Sequence, residues 1–240
     1  MAWLDRDARR LAMHASPLFS AMDVDALDAI LDLATERTIG RGQVIFQRGD
    51  AGSSIMAVVR GRVRIGAASP DGREVTLNII SPGEVFGEIA LLDGKPRSAD
   101  ATAIEETTLL VLERRHVLPF LAANPDFALR LLAVLCDRLR RTSVAMEDMA
   151  LLDLPERLAR LLLKLADDFG RKAEGGIRID IRLSQKDIGN LIASSREGTN
   201  KQLRQWQAEG VLERQGGYIL LRNPATLEEL LTPGAALQSN

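Results

Sequence analysis

In the run Phe86-Gly87-Glu88-Ile89-Ala90-Leu91-Leu92-Asp93-Gly94-Lys95-Pro96-Arg97-Ser98-Ala99, a glycine, a carboxylate and an arginine fall around one short turn. Glu88 can accept a hydrogen bond from a sugar hydroxyl, and Arg97 can make a forked, charge-assisted bond to a phosphate. Backbone N–H groups opening a short helix can face the same anion, and Gly87 lets the chain come close to it. A lone Glu or Arg is most often a solvated surface charge. The ordered combination reads as a pocket for a cyclic nucleotide, with Gly87, Glu88, Ile89, Ala90, Arg97, Ser98 and Ala99 as its candidate residues.

A second group of residues points to a different chemistry. Ser184-Gln185-Lys186-Asp187 has the form of a capping box, and Ile188, Leu191 and Ile192 supply the buried side of a short helix. Ala193-Ser194 can turn the chain, and Ser195 then caps a second helix from Arg196 to Trp206. In that helix Leu203 and Trp206 pack inward while Arg196, Glu197 and Lys201 point out. This is a helix-turn-helix with its recognition helix second. Gly210 ends it, and Val211-Leu212 and Tyr218 to Leu221 make two strands around Gln215-Gly216-Gly217, a wing. The candidate DNA contacts are Ser184, Gln185, Ser195, Arg196, Glu197, Thr199, Asn200, Lys201 and, on the wing, Arg222. A winged helix used only for protein contact is the alternative reading of this segment.

The elements that position these groups follow from periodicity. Asp23 to Ala34 carries Leu27, Ile30, Leu31 and Ala34 at helical spacing. From Thr38 the period shortens: Gln43 to Phe46, Ser54 to Val59, Gly61 to Ile65, Val75 to Ile80 and Thr107 to Leu112 are strand-like runs between Gly, Asp and Pro turns. A small antiparallel roll accounts for them, with Asp71-Gly72 as its clearest hairpin turn. Pro125 opens a long helix in which Ala128, Leu132, Leu135, Leu139, Thr142, Met146 and Met149 alternate by four and three, a coiled-coil seam. Arg138, Arg140 and Arg141 lie on its flanks, so the preferred reading is a parallel homodimer. Asp153, Pro155 and Glu156 restart a helix after a hinge, and a polar loop is expected from Asp167 to Gly176. The fold class is therefore α+β. Its expected domains are a sensor domain over 1–124, a dimerisation helix and hinge over 125–152, and a winged helix-turn-helix over 153–240.

Composition sets limits on function. The 240 residues are 46% hydrophobic, enough for one large core or two modest ones. One cysteine and two histidines leave no internal disulfide and little for a metal centre, so no metal is expected. A cyclic-nucleotide phosphodiesterase would need a His/Asp metal cluster, which argues against an enzyme. The net charge of −2 carries no global nucleic-acid signal, although an acidic half can mask a basic one. Met1 to Ser16 holds Asp5, Arg6, Asp7, Arg9 and Arg10 without an apolar core segment. No later run approaches the roughly 18 apolar residues of a membrane span, so a cytoplasmic location and no membrane contact are expected.

Taken in order, the glycine-punctuated roll, the Glu88 to Ala99 cassette with its Pro-Arg-Ser-Ala ending, the long helix, the Asp153 hinge and the Ser195-Arg196-Glu197 to Lys201 helix resemble the CRP/FNR family of bacterial transcription regulators. The resemblance spans nearly the whole chain up to Leu231. It implies that Glu88 meets the ribose 2′-hydroxyl, that Arg97 and Ser98 bind the cyclic phosphate, and that Thr142-Ser143 on the long helix faces the purine of cyclic AMP, or of cyclic GMP. It further implies a homodimer on palindromic double-stranded DNA with TGTGA-like half-sites, working with RNA polymerase. Lys201 departs from the family pattern, which has a second arginine there. Some relatives sense haem, a gas or redox state instead, but Cys136 reads as a small core residue and His14 and His116 show no paired spacing. A nucleotide-binding adaptor that does not touch DNA is the remaining alternative.

Overall fold

The structure is a computed structural model and describes residues 6–14, 16, 18–20 and 22–232. Expectations that touch residues 1–5, Pro17 or residues 233–240 lie outside the described residues. Two helices lead, α1 (Arg6–His14) and α2 (Val24–Asp32). A strand-rich region follows: β1 (Thr35–Ile39), β2 (Val44–Phe46), β3 (Ser54–Arg60), β4 (Val63–Ala68), β5 (Glu74–Ile80), β6 (Val85–Phe86), α3 (Glu88–Asp93), β7 (Asp100–Ala103) and β8 (Thr107–Glu113). Next come α4 (Arg114–Ala123), α5 (Pro125–Leu151) and α6 (Leu154–Phe169). The chain ends with β9 (Gly170–Ala173), β10 (Gly176–Ile179), α7 (Gln185–Leu191), α8 (Arg196–Ala208), β11 (Leu212–Gln215), β12 (Tyr218–Leu221) and α9 (Pro224–Leu230). These elements form two compact units. One holds the described residues up to Arg73 with Leu77–Thr142, and the other holds the described residues from Ser143 with Glu74–Thr76.

The first unit is a roll of two four-stranded sheets, ordered β1-β8-β3-β6 and β2-β7-β4-β5. Alternation along β3 and β8 explains its layering. Met56 and Val58 of β3, with Leu109 and Val111 of β8, join the inner core with Ile39, Val63, Ile80, Phe86, Ala101 and Ala103. Ile55, Ala57, Leu110 and Leu112 point the other way, into a second core closed by Met13, Leu27, Ile30, Leu31, Val117, Phe127 and Leu131 from the surrounding helices. Both faces of these strands are buried, which is why Ser54–Ala57 and Leu109–Leu112 read as unbroken runs. At the hairpin between β4 and β5, Gly72 N–H donates to Ser69 O and Ser69 N–H to Arg73 O, at 2.9 and 2.8 Å.

Several elements had no sequence expectation. β1 (Thr-Glu-Arg-Thr-Ile) is an edge strand with only Ile39 fully buried, so its apolar signal is weak. α4 begins Arg-Arg-His and carries Pro119 inside it.

In the second unit the expected capping box opens α6: Asp153 Oδ1 accepts from Glu156 N–H at 2.9 Å, and Glu156 Oε2 accepts from Asp153 N–H at 2.8 Å. Arg157 Nη1 donates back to the carbonyls of Met149 and Leu152, and Arg160 pairs with Asp148. The stretch from Asp167 to Gly176 is not a loop. It holds the end of α6, strand β9 and the tight turn into β10, in a sheet ordered β11-β12-β10-β9.

Candidate ligand pocket and nucleic-acid interface

β6 delivers the chain to Gly87, which takes φ 81° and turns it directly into α3. A side chain at this position would be strained by the left-handed backbone, and a Cβ would stand 2.6 Å from Arg97 Nη1. Glu88 is the first residue of α3, and Gly94 at φ 73° ends the helix. The return segment is pinned to the β2–β3 connection: Arg97 N–H donates to Asp50 O at 2.8 Å and Gly49 N–H to Arg97 O at 2.9 Å. Gly52 of that connection lies so close to α3 that a Cβ would stand 2.3 Å from the Ala90 Cβ. Gly52→Val is therefore expected to push α3 off its seat, costing about 1–3 kcal/mol of stability and weakening any ligand held by the cassette. Chemical denaturation and ligand titration measure the two effects.

The result is a hollow lined by Gly87 to Ala90, Arg97 to Ala99, Phe46, Ile65, Phe86 and Arg138. All seven cassette residues named from sequence line it. Thr142 and Ser143 do not; both are exposed on α5, and the Thr142 hydroxyl bonds back to Arg138 O at 2.9 Å.

Arg97 does not stand on a surface turn: it is 5% exposed. Its Nη1 donates to Ser54 O and Gly87 O, each at 2.9 Å, and its Nη2 donates to Ser54 Oγ at 3.0 Å. The guanidinium carbon lies 4.3 Å from the centre of the Phe46 ring. Burial pulls the Arg97 pKa down while the carboxylates of Glu88, Asp50 and Glu113 oppose that pull. Glu88 is 3% exposed and pairs through Oε1 with Arg138 Nη1 at 2.7 Å. Arg138, expected on a solvated flank of α5, is instead turned into the hollow, where it also donates to Val85 O. Among the residues lining the hollow, two side-chain polar atoms remain buried without a partner, the acceptor Glu88 Oε2 and the donor Arg97 Nε.

Along α5, Phe127 and Leu131 are buried while Leu132, Leu139, Met146 and Met149 are exposed on this single chain. Leu135 is half-buried, between the two faces. Cys136 is exposed, not a core residue. It follows Leu132 by four and precedes Leu139 by three, the spacing of the apolar stripe itself. Among the described residues no group of three or more His, Cys, Asp or Glu side chains is arranged to hold a metal ion, and no single helix is long and apolar enough to cross a membrane.

In the second unit, Ser184 caps α7 with Asp187 closing the box, and the Ser195 hydroxyl accepts from Gly198 N–H at 3.0 Å. Arg196, Glu197 and Lys201 are exposed along α8, while Leu203 and Trp206 are buried. Thr199 does not belong with the exposed residues: it is 0% exposed, and its hydroxyl bonds to Ser195 O at 2.9 Å. Gly198 also faces inward, where a Cβ would lie 3.1 Å from Leu154 Cδ1. Asn200 is half-buried and accepts from Arg214 Nη1 at 3.3 Å; Gln185, with its amide oxygen facing the donors, accepts from the same guanidinium. Arg222 is not at the wing tip. It follows Leu221, which pairs with Leu212 and Ile177 at the opposite end of the strands, and it binds Glu213 Oε1 at 2.9 Å and Glu174 O at 3.1 Å. The Glu213 carboxylate raises its pKa. Exposed cations on the wing side are Arg178 and Arg182, each 4.9 Å from the Tyr218 ring centre, and Arg214.

Residues 36–124 match the family described as "Cyclic nucleotide-binding domain", and residues 156–230 match "Crp-like helix-turn-helix domain". The "CRP-like cAMP-activated global transcriptional regulator" of Mycobacterium tuberculosis is 33% identical over 88% of this chain and 94% of its own. The chain belongs to the CRP/FNR family. This CRP/FNR regulator is also 34% identical to the "Cyclic AMP receptor protein" of Thermus thermophilus, over 91% of this chain and 98% of that one. A solved CooA mutant from Carboxydothermus hydrogenoformans superposes with a TM-score of 0.74 at 25% identity, covering 85% of this chain and 90% of that one. It is thus a DNA-binding transcription regulator with a cyclic-nucleotide-binding domain, in a family of regulators and not of enzymes.

Sequence reasoning passed over Phe46 and Arg138 in the pocket of this CRP/FNR protein, Ser54 as the partner of Arg97, and Arg182 and Arg214 beside its helix-turn-helix. The strand and helix patterns assign Ser54, Phe46 and Arg138 to elements, but not to a partner far along the chain.

Proposed function

We propose that this regulator is a homodimer whose DNA binding is gated by a cyclic nucleotide, cyclic AMP in preference to cyclic GMP. One observation carries the ligand class: Glu88 Oε2 and Arg97 Nε, an orphaned acceptor and an orphaned donor, belong to residues lining one hollow. A ribose hydroxyl satisfies the first and a phosphate oxygen the second, with Ser98 and the N–H groups of Ile89 and Ala90 as further donors. The relatives named for cyclic AMP support the choice of base, and Thr142 and Ser143 are the proposed purine contacts.

Coupling runs through Arg138. It sits on α5 and holds Glu88 Oε1, so a ribose hydroxyl on Oε2 and the helix proposed to dimerise meet at one carboxylate. Only a ligand that binds one arrangement better than another shifts the population. The exposed stripe of Leu132, Leu139, Met146 and Met149 is the proposed contact with a second copy. Two α8 helices then enter successive major grooves about 34–36 Å apart on a palindrome, at promoters where RNA polymerase is the further partner. The cytoplasm is the proposed place of action.

Calorimetric titration of the wild-type protein with cyclic AMP tests the ligand class. One saturable site per chain is expected; no binding at millimolar nucleotide would overturn it.

Arg196→Ala is expected to cost about 1–3 kcal/mol of DNA affinity and to relax the preference at one guanine, since Arg196 can fork onto O6 and N7. Arg222→Ala, which removes an ion pair and a turn contact, should leave the consensus unchanged. Selection from randomised sites checks both: an unaltered consensus for Arg196→Ala contradicts groove reading by this helix.

A further inference from the structure

Arg97 has five N–H donors, and the first unit of the fold has already spent three of them. Ser54 takes both outer nitrogens, its carbonyl accepting from Nη1 and its hydroxyl from Nη2. The second Nη1 hydrogen goes to Gly87 O. Ser54 thus straddles the end of the guanidinium. What remains is the side edge, where the Nε–H and one Nη2–H run parallel. Nε is buried and without a partner, and the residue as a whole is 95% withdrawn from solvent by its 5% exposure. The planar face is covered as well, by Phe46, whose ring centre lies 4.3 Å from the guanidinium carbon and is itself backed by Phe86 at 5.9 Å.

A flexible arginine could meet a phosphate end-on or side-on, through any pair of donors. This one cannot turn without breaking three hydrogen bonds and leaving the aromatic face. We infer that Ser54 and Phe46 are positioning residues that fix the Arg97 guanidinium so that only its side edge, Nε–H with Nη2–H, meets the phosphate. The inference rests on the cyclic-nucleotide reading of the pocket and deepens it. Its consequence is stereochemical. A cyclic phosphate has two non-equivalent exocyclic oxygens, and a guanidinium held at one angle favours one of them. Ser54 lies at the start of β3, opposite Glu113 in the β3–β8 register, so its backbone is set by the sheet. Pre-ordering of this kind removes an entropic cost from binding.

The test uses cyclic AMP and its two phosphorothioate diastereomers, in which sulfur, a poor acceptor, replaces one or the other exocyclic oxygen. Calorimetry on the wild-type protein should show a clear preference for one diastereomer. Ser54→Ala should weaken cyclic AMP binding about tenfold, in the range of a hydrogen bond to a charged group, and reduce the diastereomer preference towards unity. Ser54→Thr, which restores the hydroxyl, should recover both. Phe46→Leu removes the ring face and no hydrogen bond, and should also lower the preference in a protein that stays folded by circular dichroism. Wild-type preference retained in folded Ser54→Ala and Phe46→Leu would overturn the inference while leaving the nucleotide reading intact. A wild-type protein that bound none of the three compounds would overturn the nucleotide reading, and this inference with it.

Discussion

Arg97→Ala is expected to abolish the proposed response to cyclic nucleotide. A charge-assisted hydrogen bond is worth about 1.5–3 kcal/mol, and the side edge of Arg97 offers two donors to one anion. Loss of both takes the affinity below what calorimetry at micromolar protein detects. Because the side chain is buried, the substitution has a second effect. Ser54 O loses its donor in a buried position and Gly87 O in a partly buried one, at about 1–3 kcal/mol for an unsatisfied buried group. The melting temperature should therefore fall as well. Arg97→Lys separates the two contributions. It keeps the positive charge but lacks the planar fork, so it should bind nucleotide measurably but weakly. Wild-type affinity in folded Arg97→Ala would remove the cassette from the account.

Leu139→Glu should convert the proposed dimer to monomers. Leu139 is 68% exposed on the single chain, so the fold of one copy does not depend on it. In a parallel helix pair it faces its counterpart, and the substitution sets two carboxylates against each other in an apolar seam. Desolvating an unpaired charge costs several kcal/mol, and a loss of about 4 kcal/mol raises the dimer dissociation constant roughly 1000-fold. Sedimentation equilibrium distinguishes the species. Monomeric wild-type protein at micromolar concentration, or an undiminished Leu139→Glu dimer, would contradict the proposed interface.

Much of this architecture can be read from periodicity because its signals are local. The Asp153 and Ser184 capping boxes lie within four residues and recur in the structure as expected. The doubly buried strands β3 and β8 announce themselves through runs of apolar side chains. The cassette was legible as a list of residues, but not as a geometry. Nothing local to Arg97 shows that Ser54 and Phe46 will surround it, and nothing local to Arg138 shows that it will leave the solvent flank for Glu88. On the DNA-binding side the structure adds placement that residue type alone does not give. Thr199 looks polar and helical but turns inward, its hydroxyl on Ser195 O, and Arg222 is separated from the wing tip by strand register and tied to Glu213. Short polar strands such as β9, Gly-Arg-Lys-Ala, lack an apolar face and become strands only through pairing with β10.

On the proposed function, nucleotide binding gates DNA binding. Fluorescence anisotropy with a labelled palindromic duplex bearing TGTGA-like half-sites, titrated with wild-type protein at one fixed salt concentration, tests it most directly. Cyclic AMP should tighten binding to the palindrome by at least about tenfold, which corresponds to about 1.4 kcal/mol of coupling, while binding to a scrambled duplex stays weak. Equal affinity for the palindrome with and without saturating cyclic AMP would contradict the account.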